Sequence, residues 1–156
     1  MNYWLMKCEP DVFSIDDLQH QKIEGWYGIR NYQARNMMRD AMRIGDQVFF
    51  YHSNVKVPGI VGIMEVVSAP YPDPTQFDPD HRYFDPKATQ EQPRWVQVDV
   101  QYIRHTQRLI TLEELKNDDQ LCESPLFRRG NRLSIMPVGL GDWQRILDRE
   151  QLPELK

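Results

Sequence analysis

The sequence predicts an α+β fold in which a small, mostly antiparallel β-barrel is surrounded by short helices. Strand-like and helical segments are interspersed along the chain, but the spacers between them do not repeat the period of a parallel, doubly wound sheet. A length of 156 residues, with 40% hydrophobic and 27% charged side chains, suits one compact core. We therefore expect a single domain spanning residues 1–156.

The first half of the chain predicts three strands and two helices. The strands are expected at residues 3–8, 48–52 and 60–67. Ser14, followed three residues later by Asp17, predicts the start of a short helix, since each side chain can accept a backbone N–H of the other residue. Asn31 is the expected N-cap of a second helix running from Tyr32 to Arg43, because apolar residues recur there at helical spacing.

The second half predicts a long loop followed by further strands and helices. Residues 70–93 hold six prolines and many acids, which is typical of a surface loop with at most one short helix, near Thr75. Alternating apolar and polar residues predict a strand at 95–102. The remaining elements are a capped helix that starts at Thr111, a strand at 133–138 and a helix at 142–150.

The net charge of -4 conceals an uneven distribution of charge. Residues 28–43 hold four arginines against one acid, and residues 125–134 hold three arginines and no acid. Charge separated in this way can produce a positive face on an acidic protein, as nucleic-acid binding requires. The same arginines also fit ordinary solvated helix faces, so charge alone leaves both interpretations open.

Three short segments bring aromatic, polar and arginine side chains together at the ends of regular elements. They are residues 26–36, 51–54 and 132–137. A rigid scaffold presents binding groups at such boundaries. The segments contain what a nucleobase needs: rings to stack on, amide and hydroxyl groups for its polar edge, and cations for the flanking phosphates.

The predicted site combines stacking rings, edge-reading groups and cations. The candidate stacking rings are Trp26, Tyr27, Tyr32 and Tyr51, and the candidate edge-reading groups are Asn31, Ser53, Asn54 and Ser134. Arg30 and Arg132 complete the predicted base-binding pocket. The cations expected to bind the nucleic-acid backbone are Lys7, Arg35, Arg39 and Arg129.

Each of these residues also has a plain structural explanation. Trp26 can be a core aromatic residue, Asn31 a helix cap, Ser53-Asn54 a turn after a strand, and Arg132 the partner of a surface acid. Taken singly, each structural explanation is favoured. Taken together, the three segments favour a binding site.

The sequence offers little for catalysis or for a metal ion. It has no glycine-rich phosphate loop, no GxSxG and no HExxH motif, and its cysteines and histidines are too scattered for a ligand set. A Cys8–His52 dyad is conceivable, but no third group to orient it is evident, and a lone strand cysteine is usually a core residue. We predict a protein without catalytic residues, cofactor or metal, and a small Cys/His hydrolase is the weakest alternative.

The chain also lacks signals for a membrane or for secretion. Its apolar runs are too short to cross a bilayer, and its first residues show no basic start followed by an apolar stretch. We expect a cytoplasmic protein, or a nuclear one in a eukaryote.

The same segments resemble the EVE domain family, which belongs to the PUA-like group. The matching blocks are residues 4–10, 13–18, 28–36, 50–54, 58–62, 71–73 and 132–135. They occur in the family's order over essentially the whole chain, so the resemblance is specific. Two positions depart from the family pattern: Tyr27 stands where an acid commonly follows the pocket tryptophan, and Cys8 stands where serine or threonine is frequent.

The resemblance implies a PUA-like pseudo-barrel with a pocket that accepts a flipped base, with 5-substituted cytosine in DNA as the expected ligand. The family's pocket positions fall on Trp26, Arg30, Asn31, Tyr32, Ser53, Asn54 and Arg132. Trp26 is then expected to stack on the base while Asn31 and Ser53 read its edge. The alternative keeps the fold and moves the ligand to RNA, and a separate effector protein is a further possible partner.

Overall fold

The structure, a computed structural model, describes residues 1–121, 127 and 132–153. Its strands are β1 (Tyr3–Cys8), β2 (Ile23–Gly25), β3 (Gln47–His52), β4 (Gly59–Val66), β5 (Tyr71–Pro72), β6 (Val96–Gln97), β7 (Asp99–Thr111) and β8 (Ile135–Val138). Six of these strands form one sheet in the order β2-β7-β4-β3-β1-β8, while β5 and β6 pair separately. The six-stranded sheet curls into a half-barrel. Within the described ladders β1 and β3 are parallel and the other pairs antiparallel, so the predicted fold class is confirmed.

Short helices pack around this sheet, and side-chain caps define where most of them begin. The helices are α1 (Ile15–Gln21), α2 (Tyr32–Asp40), α3 (Leu112–Lys116) and α4 (Leu140–Arg149), with a 3-10 helix at Pro74–Phe77. Both predicted capping boxes are present, at the start of α1 and at the start of α3. No helix in the described part of the chain is long and apolar enough to span a membrane.

Alternation along the central strands sorts side chains into two hydrophobic cores. Trp4 of β1 and Phe50 of β3 lie in the core under α1 and α2, whereas Leu5 and Phe49 lie in the core under α4. Successive strand residues point to opposite faces of a sheet, so β1 and β3 contribute to both cores. Residues 48–51 of β3 are accordingly buried on both faces of the sheet.

Helix α2 ends at Asp40 and not at Arg43, so the predicted end of this helix was wrong. The carboxylate of Asp46 accepts the backbone N–H of Arg43 at 2.9 Å and the indole N–H of Trp4 at 3.0 Å. Gly45 in between has a positive φ of 97°, which glycine adopts without strain. A side-chain acceptor therefore takes up a backbone donor that a longer helix would have used, and the chain turns into β3.

Strand β7 runs from Asp99 to Thr111, well beyond the predicted end at residue 102. Its pairing with β4 shifts register twice, between Ile60 and Gly62 and between Ile63 and Met64. A bulge changes which residues face the core, so the period-two pattern breaks while the strand continues. Alternation of apolar and polar residues therefore predicts the strand only as far as the first bulge.

A buried network of charged side chains ties α3 and α4 to β7. Glu114 accepts hydrogen bonds from both terminal nitrogens of Arg108 at 2.7 Å. Asp118 accepts from Arg145 at 3.0 Å and from Arg149 at 2.8 Å. Burial by itself would raise the pKa of Asp118, but the hydrogen bonds from Arg145 and Arg149 outweigh burial and lower this pKa to about 2.

We predict that stability decreases as the pH falls from about 4 to about 2, partly through Asp118. Its pKa in the folded protein lies below the unfolded value of about 3.9, so its contribution is present above that value and is lost as the pH falls through the folded pKa. Thermal melting over this range checks the prediction. The wild type should lose more stability than Asp118→Asn, and equal losses would contradict the role of this carboxylate.

Candidate functional site

One wall of the candidate site forms where β1, β3 and β8 meet. Because β1 and β3 are parallel, Cys8 and His52 lie side by side at their ends. The backbone N–H of Ser53 donates to the Cys8 carbonyl at 3.0 Å, and the N–H of Lys7 donates to the Ser134 carbonyl at 2.8 Å. Three distant parts of the sequence thus converge at one end of the sheet.

The opposite wall is the segment that follows β2. Trp26 is bound to the sheet through its backbone N–H, which donates to the Val98 carbonyl at 2.8 Å. Its ring meets Phe50 edge to face, with centroids 5.3 Å apart and planes at 83°. Only 6% of Trp26 is exposed, so the ring is held in one position by the core behind it.

Between the two walls lies an open cavity of about 360 Å³. It is lined by Lys7, Cys8, Glu9, Val12, Phe13, Glu24, Gly25, Trp26, Tyr27, Gly28, Ile29, Ser53, Arg82, Tyr83, Arg132 and Ser134. The lining combines apolar walls with a few polar and charged groups, which is the usual composition of a small-ligand site.

The buried carboxylate of Asp73 holds the Trp26 wall in place. It accepts hydrogen bonds from the backbone N–H of Gly28 at 2.8 Å and from Arg30 Nη1 at 3.1 Å. It also accepts the backbone N–H of Thr75 at 2.8 Å and the hydroxyl of the same residue at 2.6 Å. Its side chain is 0% exposed, so these four hydrogen bonds, one of them from the Arg30 guanidinium, compensate the cost of burying the charge. The carboxylate thereby joins the long loop to the segment after β2.

Arg30 extends this connection to Tyr83. Its Nε and Nη2 donate to the Tyr83 carbonyl at 3.0 and 2.7 Å. The Tyr83 ring then packs on Gly28, where a Cβ would lie 2.6 Å from a ring carbon. Gly28 also has a positive φ of 86°. Both constraints require glycine at position 28, where Tyr83 of the long loop packs against the cavity wall.

Six of the predicted site residues line the cavity: Lys7, Trp26, Tyr27, Ser53, Arg132 and Ser134. The described cavity lining does not include Arg30, Asn31, Tyr32, Arg35, Arg39, Tyr51 or Asn54. Arg129 lies outside the described residues. Lys7, expected to bind a phosphate, therefore stands in the cavity itself.

The residues outside the cavity have identifiable local roles. Asn31 accepts the backbone N–H of Ala34 at 3.0 Å and caps α2. Asn54 has a positive φ of 55° in the turn after β3. Tyr51 is buried in the α4 core, and burial raises its pKa to about 12. Arg39 pairs with neighbouring Asp40 on the exposed surface.

Several cavity residues were missed by the sequence analysis. They are Glu9, Val12, Phe13, Glu24, Arg82 and Tyr83. Arg82 and Tyr83 lie in the proline-rich stretch that composition marks only as a loop. Aromatic and arginine side chains within that loop were the available signal, but its path over Gly28 depends on the binding of Asp73, in the same loop, to Gly28 and Arg30, which are far from it in sequence.

The cavity carries both signs of charge. Lys7, Arg82 and Arg132 supply cations, while Glu9 and Glu24 supply carboxylates. Burial, together with repulsion from Lys116, lowers the pKa of Lys7. Fixed donors and acceptors on facing walls suit a small polar ring that itself has both donors and acceptors.

Cys8 and His52 do not form an activated pair in the described structure. Burial raises the pKa of the Cys8 thiol to about 11, so the thiol is protonated at neutral pH, whereas nucleophilic attack requires the thiolate. His52 accepts the backbone N–H of Ile15 through Nε2 at 3.2 Å, and burial lowers its pKa. The His52 contact links the start of α1 to the end of β3.

The fold and cavity define a PUA-like module, a half-barrel with an open cavity at one end of the sheet. The EVE domain model matches residues 2–149, and the chain belongs to the EVE domain family. It is 44% identical to thymocyte nuclear protein 1 of Mus musculus over an alignment of 169 positions, which covers 96% of this chain and 74% of that protein.

Solved structures show the same architecture. The crystal structure of human THYN1 protein in complex with 5-methylcytosine-containing DNA matches with a TM-score of 0.92 and 42% identity, covering 98% of this chain and 99% of that one. A hypothetical protein from Leishmania major matches with a TM-score of 0.92 and 48% identity, covering 97% and 95% of the two chains.

We predict that Gly28→Ala destabilises the protein and distorts the cavity wall. The added Cβ meets Tyr83 at a backbone conformation that disfavours side chains, and such strain costs on the order of 1–3 kcal/mol. Gly141→Ala is the matched control, because nothing lies within 4 Å of its Cβ position in α4. Thermal melting should show a clear loss for the first variant and none for the second. A similar melting temperature for both variants would contradict the packing of Tyr83 on Gly28.

Proposed function

We propose that the protein binds DNA that carries a modified cytosine and holds that base, flipped out of its stack, in the cavity. The observation that carries this proposal is the likeness over 98% of the chain to a human protein crystallised with 5-methylcytosine-containing DNA. The cavity between Trp26 and the end of β1 supplies the matching chemistry.

The lining accounts for the preference for a cytosine. A cytosine presents an amino group, which donates hydrogen bonds, next to ring and carbonyl acceptors. Glu24 offers a carboxylate to accept from the amino group, and Lys7 and Ser53 offer donors to the acceptors. The apolar side chains of Phe13 and Ile29 provide a surface for a 5-methyl group, and Trp26 provides an aromatic surface for the ring.

The proposal involves no chemical step. A reader needs affinity for the base, whereas hydrolysis needs an activated nucleophile, and burial keeps the Cys8 thiol protonated at neutral pH. We propose the cytoplasm as its location, or the nucleus in a eukaryote. Both compartments contain nucleic acid, and the nuclear alternative agrees with the name of its mouse relative, thymocyte nuclear protein 1.

We predict that Glu24→Gln weakens binding to a duplex with one 5-methylcytosine by roughly ten- to a hundredfold, because a hydrogen bond to a charged group contributes about 1.5–3 kcal/mol. Glu91→Gln, at an exposed loop position outside the cavity, is the matched control. Fluorescence anisotropy with labelled duplexes measures both affinities.

The same titration includes unmodified cytosine and the matching RNA. The proposal expects the tightest binding for 5-methylcytosine in DNA. Tighter binding of the matching RNA than of the DNA would indicate that RNA is the ligand, since only RNA carries the 2′-hydroxyl. Equal affinities of the two Glu variants would remove Glu24 from the base-reading site.

A further inference from the structure

A second cluster of aromatic and arginine side chains lies outside the cavity, at the start of α2. The Tyr32 ring stacks on Trp95 with centroids 4.8 Å apart and planes at 25°. The guanidinium of Arg35 lies 4.6 Å from the Tyr32 ring centre and 5.9 Å from that of Trp95. Arg94 Nη1 donates to the Tyr32 hydroxyl at 3.1 Å. We call Tyr32, Trp95, Arg35 and Arg94 the stacking platform.

Half of Tyr32 is available to a ligand. Trp95 stacks on the ring, and the guanidinium of Arg35 lies over it, 4.6 Å from its centre. Tyr32 nevertheless remains 50% exposed, whereas Trp95 is 5% exposed. A half-exposed aromatic ring therefore rests on a buried support.

The platform is held rigidly from below. The indole N–H of Trp95 donates to Asp85 at 2.7 Å, and its backbone N–H donates to the buried Gln76 side chain at 2.9 Å. Arg35 Nη1 donates to the Arg94 carbonyl at 3.0 Å. A ring fixed in this way loses little further freedom when a ligand stacks on it, which favours binding.

The two flanking arginines retain positive charge for a ligand. In the described contacts, Arg35 donates to the Asn36 side chain and to a carbonyl, and Arg94 donates to a hydroxyl, so their hydrogen-bond acceptors are neutral. By contrast, the guanidinium of Arg30 is paired with Asp73. Two guanidiniums beside an exposed ring match an unpaired base with its phosphates.

Arg30 connects the platform to the cavity. Its guanidinium carbon lies 5.4 Å from the Trp95 ring centre and 5.5 Å from that of Tyr83, and Tyr83 lines the cavity. Arg30 therefore lies between an aromatic residue of the platform and one of the cavity lining.

We propose that the stacking platform binds a second, unpaired base of the DNA strand whose modified cytosine enters the cavity. This inference rests on the proposed function for the strand that is bound, but it assigns a separate site. The exposed part of the Tyr32 ring stacks on the base, while Arg35 and Arg94 contact the flanking phosphates.

The test uses short single-stranded DNA with one 5-methylcytosine, in which each flanking nucleotide in turn is replaced by an abasic one. Affinities are measured by anisotropy for the wild type, Tyr32→Leu and Tyr32→Phe. Stacking of one base contributes about 1–3 kcal/mol, so we expect Tyr32→Leu to weaken binding about five- to a hundredfold. Tyr32→Phe keeps the ring and should bind as the wild type does.

The abasic scan locates the stacked base. One flanking abasic position should weaken the wild type and leave Tyr32→Leu unaffected, while the preference for 5-methylcytosine over cytosine stays the same in both proteins. If Tyr32→Leu bound every strand in the scan with the affinity of the wild type, the proposed role of the platform would be wrong. A Tyr32 effect without any preference for the modified base would instead contradict the proposed function and leave the platform standing.

Discussion

The buried carboxylate of Asp73 is the interaction on which the site depends. A fully buried charge is costly unless it is surrounded by donors, and this one is bound by the Gly28 backbone, by Arg30 and twice by Thr75. Gly28 and Arg30 lie outside the helices and strands, and Thr75 lies in the short 3-10 helix that Asp73 caps. The carboxylate therefore fixes the segment after β2 against the long loop. Arg30, oriented in this way, positions Tyr83 on the cavity side and supports Trp95 on the platform side.

The other half of the site follows from strand topology. A parallel β1–β3 pair places two strand ends together, and the antiparallel β8 begins beside them. Lys7, Ser53 and Ser134 are far apart in sequence but become neighbours for this reason alone. The cavity thus joins a rigid sheet end to a wall held by one buried carboxylate. Such a scaffold can present its donors to a ligand without reorganisation.

Much of the fold was predictable because its signals are local. The caps at Ser14, Asn31 and Thr111 define helix starts by side-chain chemistry within a few residues. The errors arose at Asp46, whose carboxylate binds the nearby Arg43 backbone and also Trp4 of β1, and at the bulges in β7, which depend on its pairing with β4. The site shows the same division. Trp26 and Ser53 were identified from residue type and position, whereas Tyr83 reaches the cavity through contacts that no local pattern contains, and Tyr32 stands on a separate surface.

The most direct test of the account is a crystal structure of the protein with a short DNA duplex that contains one 5-methylcytosine. The account predicts a flipped methylcytosine in the cavity beside Trp26, within hydrogen-bond distance of Glu24, with the Asp73 contacts to Gly28 and Arg30 unchanged. A methylcytosine that stays stacked in the duplex, with the DNA bound elsewhere and the cavity unoccupied, would contradict it.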